Sequence, residues 1–447
     1  MGLSEAFSSV PPAIPGGFDQ FAESLPAEWI AEALEATGTA TVRKRRLPAE
    51  QVLWLVLGMA LMRNQSVQRL AAMLDIALPS KTGRLVAPSA LVQARQRLGA
   101  APLEHLFSRT GSFWAARSAT SERWRGLSVY AMDGTTVRVP DSPENWEAFG
   151  GQVSNGTRAG SAYPTVRIVA LMAARSHVLA AMRFGSYATG ELTLARELWA
   201  DVPNDSVVIV DRNFLVAADL SRFAADNSTR HWLTRAKART KLRTLERLGE
   251  GDELVEIELA DSTRRANREL PKTWVARAIH YRRKGFPPSV LLTSMTDAAA
   301  YPYREVVALY HERWEIELGY DEVKTHLLAR EEAIRSRTPE GARQELWAIG
   351  VAYNLVRLQM ERVAAAAGVP PRRISFVNSL MLLCNAWLVW SAQPLAPGRI
   401  PAQLRELESQ MSLLLLPPRR PERRYPRVVK LKMSNYDKKW VQRSGTK

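Results

Sequence analysis

The stretch Tyr303–Leu328, YREVVALYHERWEIELGYDEVKTHLL, decides how the rest of the chain is read. It has the pattern of a helix. With Tyr310 at zero and steps of about 100° per residue, Arg313 falls near 300°, Lys324 near 320°, Glu317 near 340° and Asp321 near 20°. These polar groups form one narrow stripe. On the same wheel His311, Glu312, Glu315, Glu322 and His326 gather at about 100–200°, the expected wet face. Val307, Trp314 and Leu318 flank the stripe on one side, and Leu309, Ile316, Val323 and Leu327 on the other. A helix with a free solvent face does not need a second charged stripe opposite it. One reading is a buried Arg313–Glu317 ion pair that locks helix packing. The other is an active site.

Composition narrows the partner. The 447 residues carry 61 Lys and Arg against 45 Asp and Glu, a formal charge of +16. The segment Pro417–Lys447 alone holds 11 Lys and Arg and 2 Asp and Glu, leaving +7 for the other 416 residues. Such a balance calls for a polyanion, with nucleic acid first and a tail that serves solubility or touches membrane lipid second. A single cysteine, Cys384, excludes an intrachain disulfide and a zinc site built on several thiolates. The six histidines are scattered and offer no competing cluster. No basic stretch followed by an apolar core opens the chain, so no signal peptide is expected. The longest apolar runs, Val52–Met62 and Leu380–Trp390, fall short of the ~20 residues that span a bilayer. A soluble, cytoplasmic, nucleoid-associated protein is expected.

Residues 1–17 read as a loose leader rich in Ser, Pro and Gly. Helical patterns follow, with first-turn signals at Pro26 and Pro48 and further segments at Ser66–Leu74 and Pro88–Leu98. Between the first two lies the basic run Arg43, Lys44, Arg45 and Arg46, a feature that suits a DNA-binding module. Near Leu127 the texture becomes β. Leu127–Met132 reads as a strand ending at Asp133, and Asp133-Gly134 allows a hairpin turn. Further strands are expected at Tyr163–Met172, Val178–Phe184 and Asp205–Val210. The last runs straight into Asp211, and an acidic residue at the end of an apolar strand sits where open α/β sheets place ligands. Residues 226–297 are β-rich and interspersed with basic side chains. Apolar helices at about Pro339–Ala367 and Ile374–Trp390 close the core, and a Pro-rich segment leads to the basic tail.

Tyr310, two residues, Arg313, three residues, Glu317, six residues, Lys324 is the Y-R-E-K signature. It resembles that of the bacterial cut-and-paste transposases of the insertion-sequence-four family, in the DDE group. Two further blocks carry the resemblance: Asp133-Gly134-Thr135-Thr136-Val137-Arg138-Val139-Pro140-Asp141 with Phe149-Gly150, and Val208-Ile209-Val210-Asp211-Arg212-Asn213-Phe214. Asn213 stands where the family usually has Gly. RKRRLPAEQVLWLVLGMAL resembles the family's N-terminal domain, which implies recognition of the element's terminal repeats. The resemblance runs from about residue 25 to 390.

One carboxylate cannot carry metal-assisted phosphoryl transfer, and the three blocks supply a set. Asp133, Asp211 and Glu317 are the expected triad, able to hold two Mg²⁺ ions, with Mn²⁺ as a substitute. Two such ions about 4 Å apart activate an attacking oxygen and stabilise a leaving one. Tyr310, Arg313, Lys324 and Arg212 are the expected phosphate contacts. The resemblance implies an α/β fold: a ribonuclease-H-like core (121–225 and 298–393) interrupted by a β-rich insertion (226–297). An all-α N-terminal domain (18–120) precedes it, and a Pro-rich and basic segment (394–447) follows. It also implies double-stranded DNA as partner, at element ends and target, a synaptic homodimer and a hairpin intermediate. One departure touches that last step. Relatives place a base-stacking tryptophan before the strand that precedes the catalytic helix, and here that position is Ser289. Phe286, Trp274 and Trp232 are the candidate substitutes. Two other readings share the fold: a binding-only relic, and a metal-dependent nuclease without strand transfer.

Overall fold

Strand β1, Ser128–Arg138, is buried through Met132 and then emerges at Asp133. The computed structural model describes residues 21–417 apart from 22–23, 41–46, 75–85, 152–162, 227–228, 239, 260, 269, 284–285, 329–333 and 393–398. The leader, the Arg43–Arg46 run and the tail beyond Pro417 therefore lie outside the described residues. After β1 come β2 (Thr165–Ala173), β3 (Leu179–Ser186), β4 (Ser206–Val210), β5 (Arg230–Arg235), β6 (Leu242–Gly249), β7 (Asp252–Glu258), β8 (Thr273–Tyr281) and β9 (Ser289–Thr293). All nine share one sheet, in the order β3-β2-β1-β4-β5-β9-β8-β7-β6. β1, β4 and β5 run parallel, and the remaining pairs are antiparallel.

The hairpin turn that Asp133-Gly134 allows is not formed. β2 pairs with β1 continuously from Tyr130↔Ala173 to Arg138↔Thr165, and Gly134 lacks the positive φ of a tight hairpin turn. A local turn signal loses here to a full-length partner strand. The strands of the β-rich segment belong to the same sheet. β5 pairs parallel with β4, and β9 bridges β5 to β8, so these strands extend the common sheet.

Between Ala27 and Ser121 the described elements are helices: α1 (Ala27–Ala36), α2 (Ala49–Leu61), α3 (Val67–Met73), α4 (Pro88–Leu98) and α5 (Ala101–Ser121). The later helices are α6 (Pro143–Phe149), α7 (Glu191–Leu198), α8 (Ala217–Asp226), α9 (Asp261–Ala266), α10 (Tyr303–Tyr310), α11 (Trp314–Asp321), α12 (Pro339–Ala367), α13 (Phe376–Ala392) and α14 (Ile400–Ser412). α12 starts on a Thr338 cap, whose hydroxyl accepts from the Gly341 amide, and stops at left-handed Gly368. From Gln344 to Met360 it is buried on all sides, with α2 and α5 against the helix. Its Glu345 holds Arg63 at 3.1 Å and Arg95 at 3.2 Å, tying the N-terminal helices to it. Most of the described core residues from Phe21 to Met411 form one continuous cluster, and Ala218, Leu259 and Leu270 form a second, smaller one. No helix among the described residues is long and apolar enough to cross a membrane.

The stretch Tyr303–Leu327 is helical throughout but not uniform. A 3₁₀ turn at His311–Arg313 separates α10 from α11, and a π turn follows at Glu322–Leu327. The wet face expected from a regular wheel is in fact an anchored one. Glu312 pairs with Arg175 at 2.8 Å; Glu315 is buried, 2.9 Å from His177; Glu322 meets Arg357 at 3.2 Å and Tyr353 at 2.7 Å. The compensating groups come from other elements, which a single helix cannot reveal. Trp314 and Leu318, expected as a flank, are exposed instead.

Candidate active site

The sheet register brings the first two carboxylates together. β1 and β4 run parallel with Met132 opposite Val210, so Asp133 and Asp211 are the next residues at the carboxyl edge of neighbouring strands. The apolar residues before them are fully buried, which anchors both backbones. α11 packs against β1 and carries Glu317 to the same place. The Tyr320 hydroxyl donates to the Asp133 carbonyl at 2.5 Å and fixes helix to strand.

Arg313 joins the carboxylates. Its Nη1 lies 3.4 Å from Asp133 Oδ2 and its Nη2 2.8 Å from Glu317 Oε1. The helical ion pair expected from the sequence therefore exists, and it reaches a third group on the sheet. The Gly134 amide donates to Asp133 Oδ1 at 2.8 Å, and the Asn213 amide to Asp211 at 2.6 Å. Burial pushes Asp133 up to about 6, and Asp211 and Glu191 push the same way; the Gly134 amide and Arg313 pull against them. Burial also raises Glu191, with Asp211 adding to the shift. Negative charge is thus crowded beyond what Arg313 neutralises.

An open cleft of about 420 Å³ is lined by Asp211, Arg212, Arg235, Tyr310, Arg313, Trp314 and Glu317. Lys324 donates to the Thr135 hydroxyl at 3.2 Å, two residues beyond Asp133. Tyr310, Arg313, Lys324 and Arg212 are accordingly all at or beside the carboxylates. Trp274 and Phe286 do not line this cleft. Trp274 is half-buried, its ring 5.0 Å from that of fully buried Trp232, whereas Phe286 is exposed. Among the described residues no three acidic, histidine or cysteine side chains stand close enough to hold a metal ion as placed. The Arg313 guanidinium between Asp133 and Glu317 accounts for part of that spacing. The donor set itself, hard carboxylate oxygens in an over-charged pocket, fits Mg²⁺ or Mn²⁺.

Two groups are missed from the sequence, Arg235 in the cleft and Glu191 against β1. Arg235 closes β5, and only the β4–β5 pairing brings it beside Asp211. Glu191 opens α7 and lies against Gly134. Neither has a local sequence signal; both depend on strand order.

A family model for the insertion element 4 transposase N-terminal region matches residues 15–108, and one for the transposase DDE domain matches residues 124–355. The transposase InsG for insertion sequence element IS4 of Escherichia coli (strain K12) is 38% identical over 408 residues, covering 91% of this chain and 90% of that protein. The putative transposase InsZ of the same organism is 37% identical over 228 residues, covering 51% of this chain and 74% of that protein. A piggyBac transposase synaptic complex with hairpin DNA aligns over 92% of this chain and 87% of its own at 13% identity. Its TM-score of 0.42 is too low to carry an argument.

Proposed function

The chain belongs to the insertion element 4 family of DDE transposases, and on that premise we propose that Asp133, Asp211 and Glu317 form the catalytic triad that cuts a mobile element at its ends and joins it to target DNA. The observation that carries this is the β1/β4 register, Met132 opposite Val210, which sets the two aspartates side by side under the helix bearing Glu317.

The three carboxylates would hold two Mg²⁺ ions, or Mn²⁺ in their place. Such ions supply an activated oxygen nucleophile and stabilise the leaving oxygen of an in-line phosphoryl transfer. Arg313, paired here with Asp133 and Glu317, would be the cation free to turn to a phosphate beside the cut once those carboxylates are otherwise neutralised. Arg235, Arg212 and Lys324 grip neighbouring phosphates, and Tyr310 orients them. No side chain acts as nucleophile; water serves for nicking, and the freed 3′-hydroxyl serves for joining.

The strand order β3-β2-β1-β4-β5, with β1, β4 and β5 parallel, supports a ribonuclease-H-like core. β6–β8 then extend the sheet as the insertion between Asp211 and Glu317. On this reading the helices before β1, with the Arg43–Arg46 run, bind terminal repeats. Two copies act as a synaptic homodimer in the cytoplasm, on nucleoid DNA, through a hairpin intermediate.

The test incubates the purified chain and its Glu317→Gln variant with DNA bearing the element's own ends, with and without Mg²⁺. Metal-dependent nicks, hairpins and joined products from the unsubstituted chain alone are expected. Equal end-binding by both proteins with no cleavage by either overturns the catalytic reading. Cleavage without joining leaves a nuclease.

A further inference from the structure

Helix α4, Pro88–Leu98, has two faces of different chemistry. Leu91, Ala94 and Leu98 are buried on one. Ser89, Val92, Gln93, Gln96 and Arg97, spaced i, i+3, i+4, i+7 and i+8, form one exposed stripe on the other, with Val92 52% exposed. Among the described residues no hydrogen bond or ion pair engages the side chains of this stripe. The helix behind it is fixed. Arg95 Nε donates to Gln344 Oε1 on α12 at 3.1 Å, and its Nη2 donates to the Ser336 hydroxyl at 3.0 Å and pairs with Glu345 at 3.2 Å. Gln344 donates back to the Arg95 carbonyl at 3.0 Å, and Glu340 accepts from the Ala100 amide at 2.7 Å.

The charge around the stripe has one sign. From Ile76 to Leu103 the sequence has no Asp or Glu, and it carries Lys81, Arg84, Arg95 and Arg97. α1, by contrast, exposes Glu28, Glu32 and Glu35. Amide, guanidinium and hydroxyl groups with one exposed apolar side chain are the set that reads base edges. Glutamine suits adenine N6 and N7, arginine suits guanine O6 and N7, and an apolar group suits the thymine methyl. The 11 residues of α4 make a rod of about 16 Å, which fits the ~12 Å wide major groove.

We propose that α4 is the helix that reads the element's terminal repeats, lying in the major groove of duplex DNA with Gln93, Gln96 and Arg97 on base edges and Ser89 and Val92 beside them. The inference rests on the reading that the helices before β1 bind those repeats, and it assigns the recognition to one face. The Arg95 anchor then ties base reading to α12.

The test is a fluorescence-anisotropy titration of the full chain at one fixed salt concentration. It uses a duplex bearing the element's end and a scrambled duplex of equal length and composition. Gln93→Ala, Gln96→Ala and Arg97→Ala replace exposed residues by the best helix former, so each keeps the fold. Each weakens end binding by ~5-fold or more, and the glutamine variants leave scrambled-duplex binding within ~2-fold. The dependence of affinity on salt stays unchanged for the glutamine variants, because no phosphate contact is lost. Placing 7-deazaguanine at successive guanines of the end duplex removes only a major-groove acceptor, and at one position it weakens the unsubstituted chain but not Arg97→Ala. Glutamine variants that keep the full preference for the end duplex, or an Arg97→Ala loss equal on both duplexes, overturn the proposal and leave repeat binding to other residues. If the unsubstituted chain does not distinguish the two duplexes, the terminal-repeat reading itself fails, and this inference with it.

Discussion

Glu322→Gln probes what holds the helix bearing Glu317 in place. Glu322 opens the π turn after α11 and is nearly enclosed. Its Oε1 lies 3.2 Å from Arg357 Nη1, and its Oε2 accepts from the Tyr353 hydroxyl at 2.7 Å and lies 3.3 Å from His177 Nδ1. Burial alone would raise this carboxyl. The charges of Arg357 and His177 and the hydrogen bonds from His177 and Tyr353 outweigh it and hold Glu322 at about 2, against an ordinary 4.5. That difference is worth about 3 kcal/mol of stability at neutral pH. Breaking a buried ion pair by removing one partner costs a similar ~3–5 kcal/mol, because the other charge stays buried. Arg357 is 1% exposed, so it cannot escape to water. The sign follows from the lowered value: the contribution is complete above pH 4.5 and is lost as pH falls through about 2. Urea unfolding at neutral pH should show Glu322→Gln destabilised by about 3 kcal/mol, with the gap to the unsubstituted chain narrowing on acidification below pH 4.5. A gap under ~1 kcal/mol at neutral pH, or one that widens in acid, refutes the reasoning.

Other substitutions test the site and the frame separately. Asp133 stands at about 6 against an ordinary 3.8, so its ionisation opposes folding of the metal-free protein. In chelator, Asp133→Asn should therefore be more stable than the unsubstituted chain by up to about 3 kcal/mol above pH 6, a gap that closes as pH falls towards 3.8. Protons compete for the same carboxylate, so Mn²⁺ affinity measured by calorimetry should fall as pH drops through about 6. Gly111→Ala on α5 would bring a Cβ to 2.8 Å from the Ala180 carbonyl oxygen on β3. Backbone cannot yield as a side chain can, and unfolding measurements should show a loss of about 1–3 kcal/mol despite better helix propensity. Arg277, fully buried, forms a two-nitrogen pair with Asp252 and donates to the Met295 and Tyr301 carbonyls. Arg277→Ala should cost about 3–5 kcal/mol and speed amide exchange in β7 and β8.

The strands were legible where burial is two-sided: Val207–Val210 reads as an apolar run ending in an acid, and β4 is that run. α12 is equally plain from its length, its Thr338 start and its Gly368 stop. Legibility fails where a partner decides. Asp133-Gly134 carries a turn signal, but β2 on one side and Glu191 over the glycine keep the backbone extended. Glu312, Glu315 and Glu322 look solvated on a wheel because Arg175, His177 and Arg357 come from distant parts of the chain. The wheel itself drifts once a 3₁₀ turn and a π turn interrupt the 3.6-residue period. Lys324 nonetheless reaches the β1 edge through that π turn. Of the site, the Tyr310–Lys324 stripe is readable from spacing and Asp211 from its place at the end of an apolar run, and Asp133 comes with the family resemblance, whereas Arg235 and Glu191 require the strand order.

The most direct measurement is anomalous diffraction from crystals of the full chain bound to element-end DNA and grown with Mn²⁺. Two peaks about 4 Å apart are expected, bounded by the carboxylates of Asp133, Asp211 and Glu317, with Arg313 turned from Asp133 onto a DNA phosphate. DNA ends seated in the cleft with no Mn²⁺ at these carboxylates, or with Mn²⁺ bound only elsewhere, would contradict it.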